Sequence, residues 1–246
     1  NDTRLFNKVR ANKKILISHS LQTIEKFIRK SQLISYFKHK PKVLVLSDYH
    51  KKKQSKLLSI YGTIQCGWAV DDIFINSKLN ENLNNKQAIF TSKFDRNGKL
   101  LVDIWNKYIQ PKNKDLKLLI TPKITNNHNP NIIERSVGNQ NNMLKDLSNS
   151  RMLLIPGHKA ELYCLAAEEG RELCVPIITM GIGSLKERVF HGKTGLIAKN
   201  EKEFSEFVLQ LFSDDYLWNK LRLNLIELRN SNNWMKVSEK LLKLIK

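Results

Sequence analysis

The sequence predicts an α/β fold, a Rossmann-like doubly wound parallel sheet with helices on both faces. Three observations carry this. Short apolar runs rich in β-branched residues recur along the chain, and segments of 3.6-residue periodicity separate them. With 246 residues and 41% hydrophobic content, the chain can also bury a substantial core.

In chain order, KILISHS (14–20) reads as a strand, LQTIEKFIRK (21–30) as a helix and KVLVLS (42–47) as a second strand. Residues 1–75 thus hold two convincing strands, too few for a full domain of this class. QAIFTS (87–92), the helical LLVDIWNKYI (100–109) and LKLLIT (116–121) follow, then MLKDLSNS (143–150) as a helix. RMLLIP, VPIITM and TGLIAK complete the strands. EFSEFVLQLF, DYLWNKLRLNLIELR and NWMKVSEKLLKLI form a helical tail with amphipathic spacing. Core packing is expected of the last helix, and its lysines leave a membrane surface as the other reading.

Asn-rich stretches interrupt the pattern at NSKLNENLNNK (76–86) and TNNHNPN (125–131). The first is the better linker. It divides the chain into a partial α/β segment with hinge, 1–85, and a Rossmann-like domain with C-terminal helices, 86–246.

The net charge of +19 sits mostly at the front, where residues 1–60 carry 15 Lys and Arg against three Asp and Glu. A cationic front segment attracts an anionic partner such as a phospholipid surface. Nucleic acid is disfavoured, since the basic segment has few aromatic residues and no binding motif. Cys66, Cys164 and Cys174 are odd in number and lack C-x-x-C spacing, which fits buried reduced thiols in a cytosolic protein. The six histidines show no metal-ligand spacing, so no metal is expected. No membrane span or signal leader is visible. The expected location is cytoplasmic, with peripheral contact at the inner membrane face. The chain opens on Asn rather than Met, as a processed or partial chain would.

An open parallel sheet binds ligands at the carboxyl ends of its strands, which directs attention to the loops after QAIFTS, RMLLIP and VPIITM. After RMLLIP comes Gly157, then Glu161, then a helix expected over Tyr163–Leu173. Its first amides, near Tyr163, Cys164, Leu165 and Ala166, suit a phosphate group. Glu169 lies further along that helix. Two glycines flank Ile182, and at Gly183 the backbone can approach a ligand closely. Lys93, Arg96 and Lys99 follow QAIFTS, where cations can grip a diphosphate.

This ordered set resembles the C-terminal half of the family 4 retaining glycosyltransferases, enzymes of the two-domain GT-B fold. The carrying residues are RMLLIP, Glu161, seven residues, Glu169, Pro176, the GIGSLKE segment ending at Glu187, then His191-Gly192-Lys193-Thr194-Gly195. The S-x-x-x-R-N segment ending in Arg96 and Asn97 extends the likeness. The sequence departs from the pattern at GRELC (170–174), which has Cys174 where the family has Gly, and at Lys93 and Lys99, which stand six apart.

The resemblance implies a retaining transfer of sugar from a nucleotide-sugar donor to a glycan or lipid-linked acceptor, with no metal and no other cofactor. It gives Glu169 the ribose hydroxyls and Glu161 the donor-sugar hydroxyls. The helix-start amides meet the diphosphate, and Arg96 with Lys99 or Lys93 neutralises the leaving group. Glu168 and Glu172 are then expected to be solvated. GWAVDDIF (67–74) resembles the family segment leading into the hinge, and the acceptor side is expected to be partial. The competing class is a catalytically silent α/β module that binds a polyanion through its basic front. A dehydrogenase is disfavoured because no G-x-G-x-x-G follows the first strand.

Overall fold

The computed structural model describes residues 2–80, 85–121, 129–135, 138–230 and 233–245. The chain forms two compact units, Asn1–Trp68 together with Met235–Lys246, and Ala69–Trp234. The sequence placed the division at 85/86 and kept the last helix with the second domain. That helix buries Val237 within the first unit, and the Cys66 thiol approaches the Val237 carbonyl at 3.9 Å. Part of the linker, 81–84, and most of TNNHNPN lie outside the described residues.

In the first unit a 3-10 turn, Thr3–Lys8, precedes β1 (Ile15–Ile17), α1 (Ile24–Arg29), α2 (Leu33–His39), β2 (Lys42–Val45), α3 (Asp48–Lys53) and β3 (Thr63–Gln65). The strands pair in parallel in the order β1-β2-β3, one strand more than the sequence showed. Local chemistry sets the helix ends. Thr23 caps α1 by accepting from the Lys26 N–H, and Ser47 caps α3 by accepting from His50. Lys40 adopts the left-handed conformation, φ 47°, and Pro41 follows, so α2 stops there. Leu16, Phe27, Tyr36, Val43, Val45 and Leu58 form the core.

The second unit runs α4 (Asp72–Ile75), β4 (Gln87–Phe90), α5 (Gly98–Ile104), β5 (Lys117–Ile120), β6 (Ile132–Glu134), α6 (Gln140–Ser148), β7 (Met152–Gly157), α7 (Leu165–Glu172), β8 (Ile177–Ile182), β9 (Gly195–Ile197), α8 (Glu201–Ser213) and α9 (Asp215–Leu228). α10 (Trp234–Ile245) closes the chain. A π-helical turn, Trp105–Ile109, extends α5. The sheet is parallel throughout, in the order β6-β5-β4-β7-β8-β9. Counted from β4 as first strand, this is the 3-2-1-4-5-6 order of a Rossmann sheet, with its switch point between β4 and β7.

Side chains alternate between two cores, as the period of two in a strand requires. Ala88, Phe90, Met152, Leu154 and Ile178 face α5, α8 and α9 through Leu101, Trp105, Phe204, Val208 and Trp218. Ile89, Leu153, Ile155 and Ile177 face α4, α6 and α7 through Phe74, Leu147 and Ala167. Both faces of the sheet are therefore covered, and all six residues of β7 are buried. Each such Leu or Ile contributes about 1.5–3 kcal/mol on burial, which is what makes these near-continuous apolar runs strands rather than loops.

Candidate functional site at the sheet switch point

The loops after β4 and β7 meet where the strand order reverses. Lys93 to Asn97 form a turn in which the Arg96 N–H reaches the Lys93 carbonyl at 2.8 Å. Asn97 is left-handed, φ 67°, a conformation Asn tolerates better than most residues, and its amide donates to the Gly157 carbonyl. This bond ties the two loops together. Arg96 is half-buried and its guanidinium lies 3.5 Å from His158 Nδ1. The Ala160 N–H also donates to that nitrogen, at 3.1 Å. With Nδ1 accepting, the neutral imidazole carries its proton on Nε2 and can donate there.

Glu161 stands one turn further. Its N–H reaches the His158 carbonyl at 2.9 Å, and its carboxylate accepts from the Cys164 N–H. Burial raises the Glu161 pKa, opposed first by Arg96 and then by the Cys164 N–H. Glu169, on α7, is pushed up to about 7 by burial, opposed by Arg135. Arg135, just past β6, is itself buried and pairs with Asp146 at 3.0 Å. A partly desolvated carboxylate such as either of these gains by accepting hydrogen bonds from hydroxyl groups, which return what burial removed.

The third loop closes against the second. Gly183 has φ 76°, and a Cβ there would lie 2.6 Å from the His158 carbonyl and 2.8 Å from that of Glu161. Gly157 has φ 99° and fits against Ile182 and Leu185 with no room to spare. Both glycines thus let one loop approach the other, and Ser184 N–H binds the Glu161 carbonyl at 3.0 Å.

The helix after β7 begins at Leu165, two residues later than the sequence indicated. Cys164 precedes it in a left-handed conformation, φ 59°, and its thiol is buried, with a pKa raised by that burial and by Glu161. It is a neutral packing group. Tyr163 is also buried, under the Arg188 guanidinium at 4.5 Å. Leu165 is exposed and Ala166 half-buried, while of the other two expected positions the Cys164 N–H is taken by the Glu161 carboxylate. Lys93 and Lys99 are exposed, on either side of Arg96 in the chain.

Glu168 and Glu172 are not solvated as expected. Their relative exposures are 1% and 0%. Glu168 pairs with Arg171 at 2.6 Å and Arg188 at 2.9 Å, while Glu172 pairs with Arg171 at 3.1 Å and accepts from the Asn230 N–H at 2.7 Å. Buried carboxylates survive only when so paired. The cluster fastens α7 to the 3-10 turn Gly183–Glu187 and to the end of α9. All three cysteines are buried and free. Among the described residues, no three of His, Cys, Asp and Glu gather where they could hold a metal ion.

His158 and Arg135 were not picked out from the sequence. His158 stood in a loop already singled out, but a lone His carries no signal until Arg96 is beside it. Arg135 had none, because the strand that delivers it was not recognised.

No protein-family model matches this chain, and no curated protein sequence does. Solved structures do match. S. aureus TarM, crystallised with UDP among its ligands, superposes with a TM-score of 0.71 at 17% identity, over 99% of this chain and 53% of TarM. Anabaena HepE, in complex with UDP and glucose, gives 0.72 at 9% identity over 94% of this chain and 70% of its own. WaaG, a glycosyltransferase involved in lipopolysaccharide biosynthesis, gives 0.70 at 11% identity over 99% and 80%. The fold is that of the GT-B glycosyltransferases. At identities this low the likeness is one of fold, and the chain spans about half the length of TarM. Within the GT-B frame, Arg96, His158 and Glu161 occupy the switch point of a Rossmann sheet, and Glu169 follows on the next helix.

Proposed function

We propose that this protein is a retaining glycosyltransferase of the family 4 type, moving sugar from a nucleotide-sugar donor to a glycan or lipid-linked acceptor. The observation that carries the reading is the meeting of Arg96, His158 and Glu161 at the switch point, where a Rossmann sheet binds nucleotides. TarM and HepE, which share the fold, are both seen with UDP. UDP is therefore the first probe.

In this reading Glu169 accepts from the ribose hydroxyls and Glu161 from hydroxyls of the donor sugar. The Leu165 and Ala166 amides at the start of α7 and the Arg96 guanidinium meet the diphosphate, with Lys93 and Lys99 adding charge. As the glycosidic bond breaks, negative charge grows on the leaving diphosphate. A cation already in place stabilises that charge more than it stabilises the bound donor, which lowers the barrier. His158 Nε2–H is a further donor beside Arg96. The reading invokes no metal cofactor.

Titration calorimetry with UDP, GDP and ADP tests it. One nucleotide should bind, Glu169→Ala should abolish that binding, and Arg96→Ala should weaken it about tenfold, the share of one charge-assisted contact. Binding unchanged in both variants would overturn the site. Failure of all three nucleotides to bind would favour the silent polyanion-binding module.

A further inference from the structure

The segment from His191 to Gly195 contributes to the family likeness, yet no part of the donor site falls to it. It forms a turn fastened by its own groups. The Lys193 and Thr194 N–H groups both reach the Phe190 carbonyl at 3.0 Å, and the Phe190 N–H donates to Thr194 Oγ1 at 2.9 Å. Asn224 on α9 donates to the Lys193 carbonyl at 3.0 Å, which holds the helix against the turn. Turn and helix together line a cavity of about 740 Å³, within the size range of small-molecule sites. Gly192 is left-handed there, φ 74°, and a Cβ on it would meet nothing within 4 Å, so its backbone borders open space.

The cavity lies away from the switch point. The turn leads into β9, and strands that run parallel all begin at one edge of the sheet, the edge opposite the loops that carry Arg96 and Glu161. α9 crosses that same edge. The Trp218 indole donates to the Arg151 carbonyl just before β7 at 2.8 Å, and Arg229 donates to the Glu172 carbonyl at the end of α7 at 2.9 Å.

The lining combines three chemistries. Lys193 brings an ammonium group from the turn and Lys220 another from α9, while Glu227 adds a carboxylate. Among the described residues none of the three is in an ion pair. Phe190 is 53% exposed although its neighbour Val189 is buried, so its ring stays out of the core and forms an apolar wall. His191 Nδ1 accepts from the Ile197 N–H at 3.0 Å, which leaves Nε2 to donate.

We infer that this cavity binds a sugar that carries one anionic group, a phosphate or a carboxylate. The two ammonium groups take the anion, Glu227 and His191 Nε2–H take ring hydroxyls, and the Phe190 ring covers the C–H face of the sugar. Other ligands leave a group unmatched. Free phosphate would leave the Phe190 ring wet, a neutral sugar would leave both ammonium groups unpaired, and a nucleic acid would set its phosphates beside Glu227. The inference does not rest on the transferase reading, because binding is measured with no nucleotide present.

Nitrogen-15 NMR of the full chain, titrated with glucose 6-phosphate, glucose 1-phosphate and glucuronate, tests it. At least one should shift the Gly192, Thr194 and Asn224 amides in a saturable way and leave those of Glu161 and Leu165 in place. Lys193→Ala with Lys220→Ala should weaken that binding by more than about tenfold. Glu227→Ala should weaken it about fivefold while inorganic phosphate binds no more weakly than to wild type. These side chains are exposed, and an unchanged urea midpoint checks that the variants fold. A glucuronate-containing hexasaccharide separates the two sources of such a sugar: tighter binding than glucuronate identifies a glycan chain, equal binding a free sugar. Failure of all three sugars to shift these amides, shifts at Glu161 and Leu165 instead, or equal affinity for glucose 6-phosphate and inorganic phosphate would overturn the inference.

Discussion

Folding drives most carboxylates toward lower pKa, but it drives Glu169 the other way, from 4.5 to about 7, because burial outweighs the attraction of Arg135. Between those values the folded chain holds a proton at Glu169 that the unfolded chain has released. Stability contributed through this group is therefore full below about pH 4.5, falls as pH rises toward 7, and stays low above it. The interval corresponds to at most about 3 kcal/mol at roughly 1.4 kcal/mol per pH unit. Glu169 retains some solvent contact, which brings the expected effect to about 1–2 kcal/mol. Glu169→Gln keeps the shape and cannot ionise. In urea titrations the variant should match wild type at pH 5 and exceed it by that 1–2 kcal/mol at pH 8. Glu161 also titrates upward, so the comparison of the two proteins, rather than wild type alone, isolates Glu169. The same ionisation should make wild-type affinity for UDP rise with pH through 7, as the carboxylate proposed to accept from the ribose forms. A stability difference that does not change between pH 5 and 8 would refute the reasoning.

Two further outcomes follow from the packing. Glu168→Ala leaves Arg171 and Arg188 short of a buried partner and should cost about 3–5 kcal/mol, seen as a lower urea midpoint with an unchanged slope. Gly183→Ala forces a Cβ against the carbonyls of His158 and Glu161 in a left-handed backbone. It should cost about 1–3 kcal/mol, and calorimetry should show weaker UDP binding because Glu161 is displaced.

The apolar runs that became β4, β7 and β8 were legible because strands buried on both faces leave no polar alternation to confuse. β3 and β6 were not. Each has three residues at a sheet edge, and β6 buries only Ile132, so periodicity had nothing to register. At the site, Glu161, Glu169 and Arg96 stood out by spacing and by their place after strands, and the structure brings Arg96 beside the loop that holds Glu161. Glu168 and Glu172 misled for a definite reason. A glutamate on a short helix reads as solvated unless its cation is known, and Arg188 lies 20 residues away. Burial of charge is decided by tertiary pairing, which local pattern does not contain.

The membership of α10 in the first unit bears on the order in which the chain can be built. Residues 69–234 form a unit inserted in sequence between the two parts of the first. The three-stranded sheet, though synthesised first, gains its contact between Cys66 and Val237 only once that insert has been made. Loss of the final turns of the chain would therefore be felt not in the neighbouring Rossmann sheet but at the opposite end of the sequence.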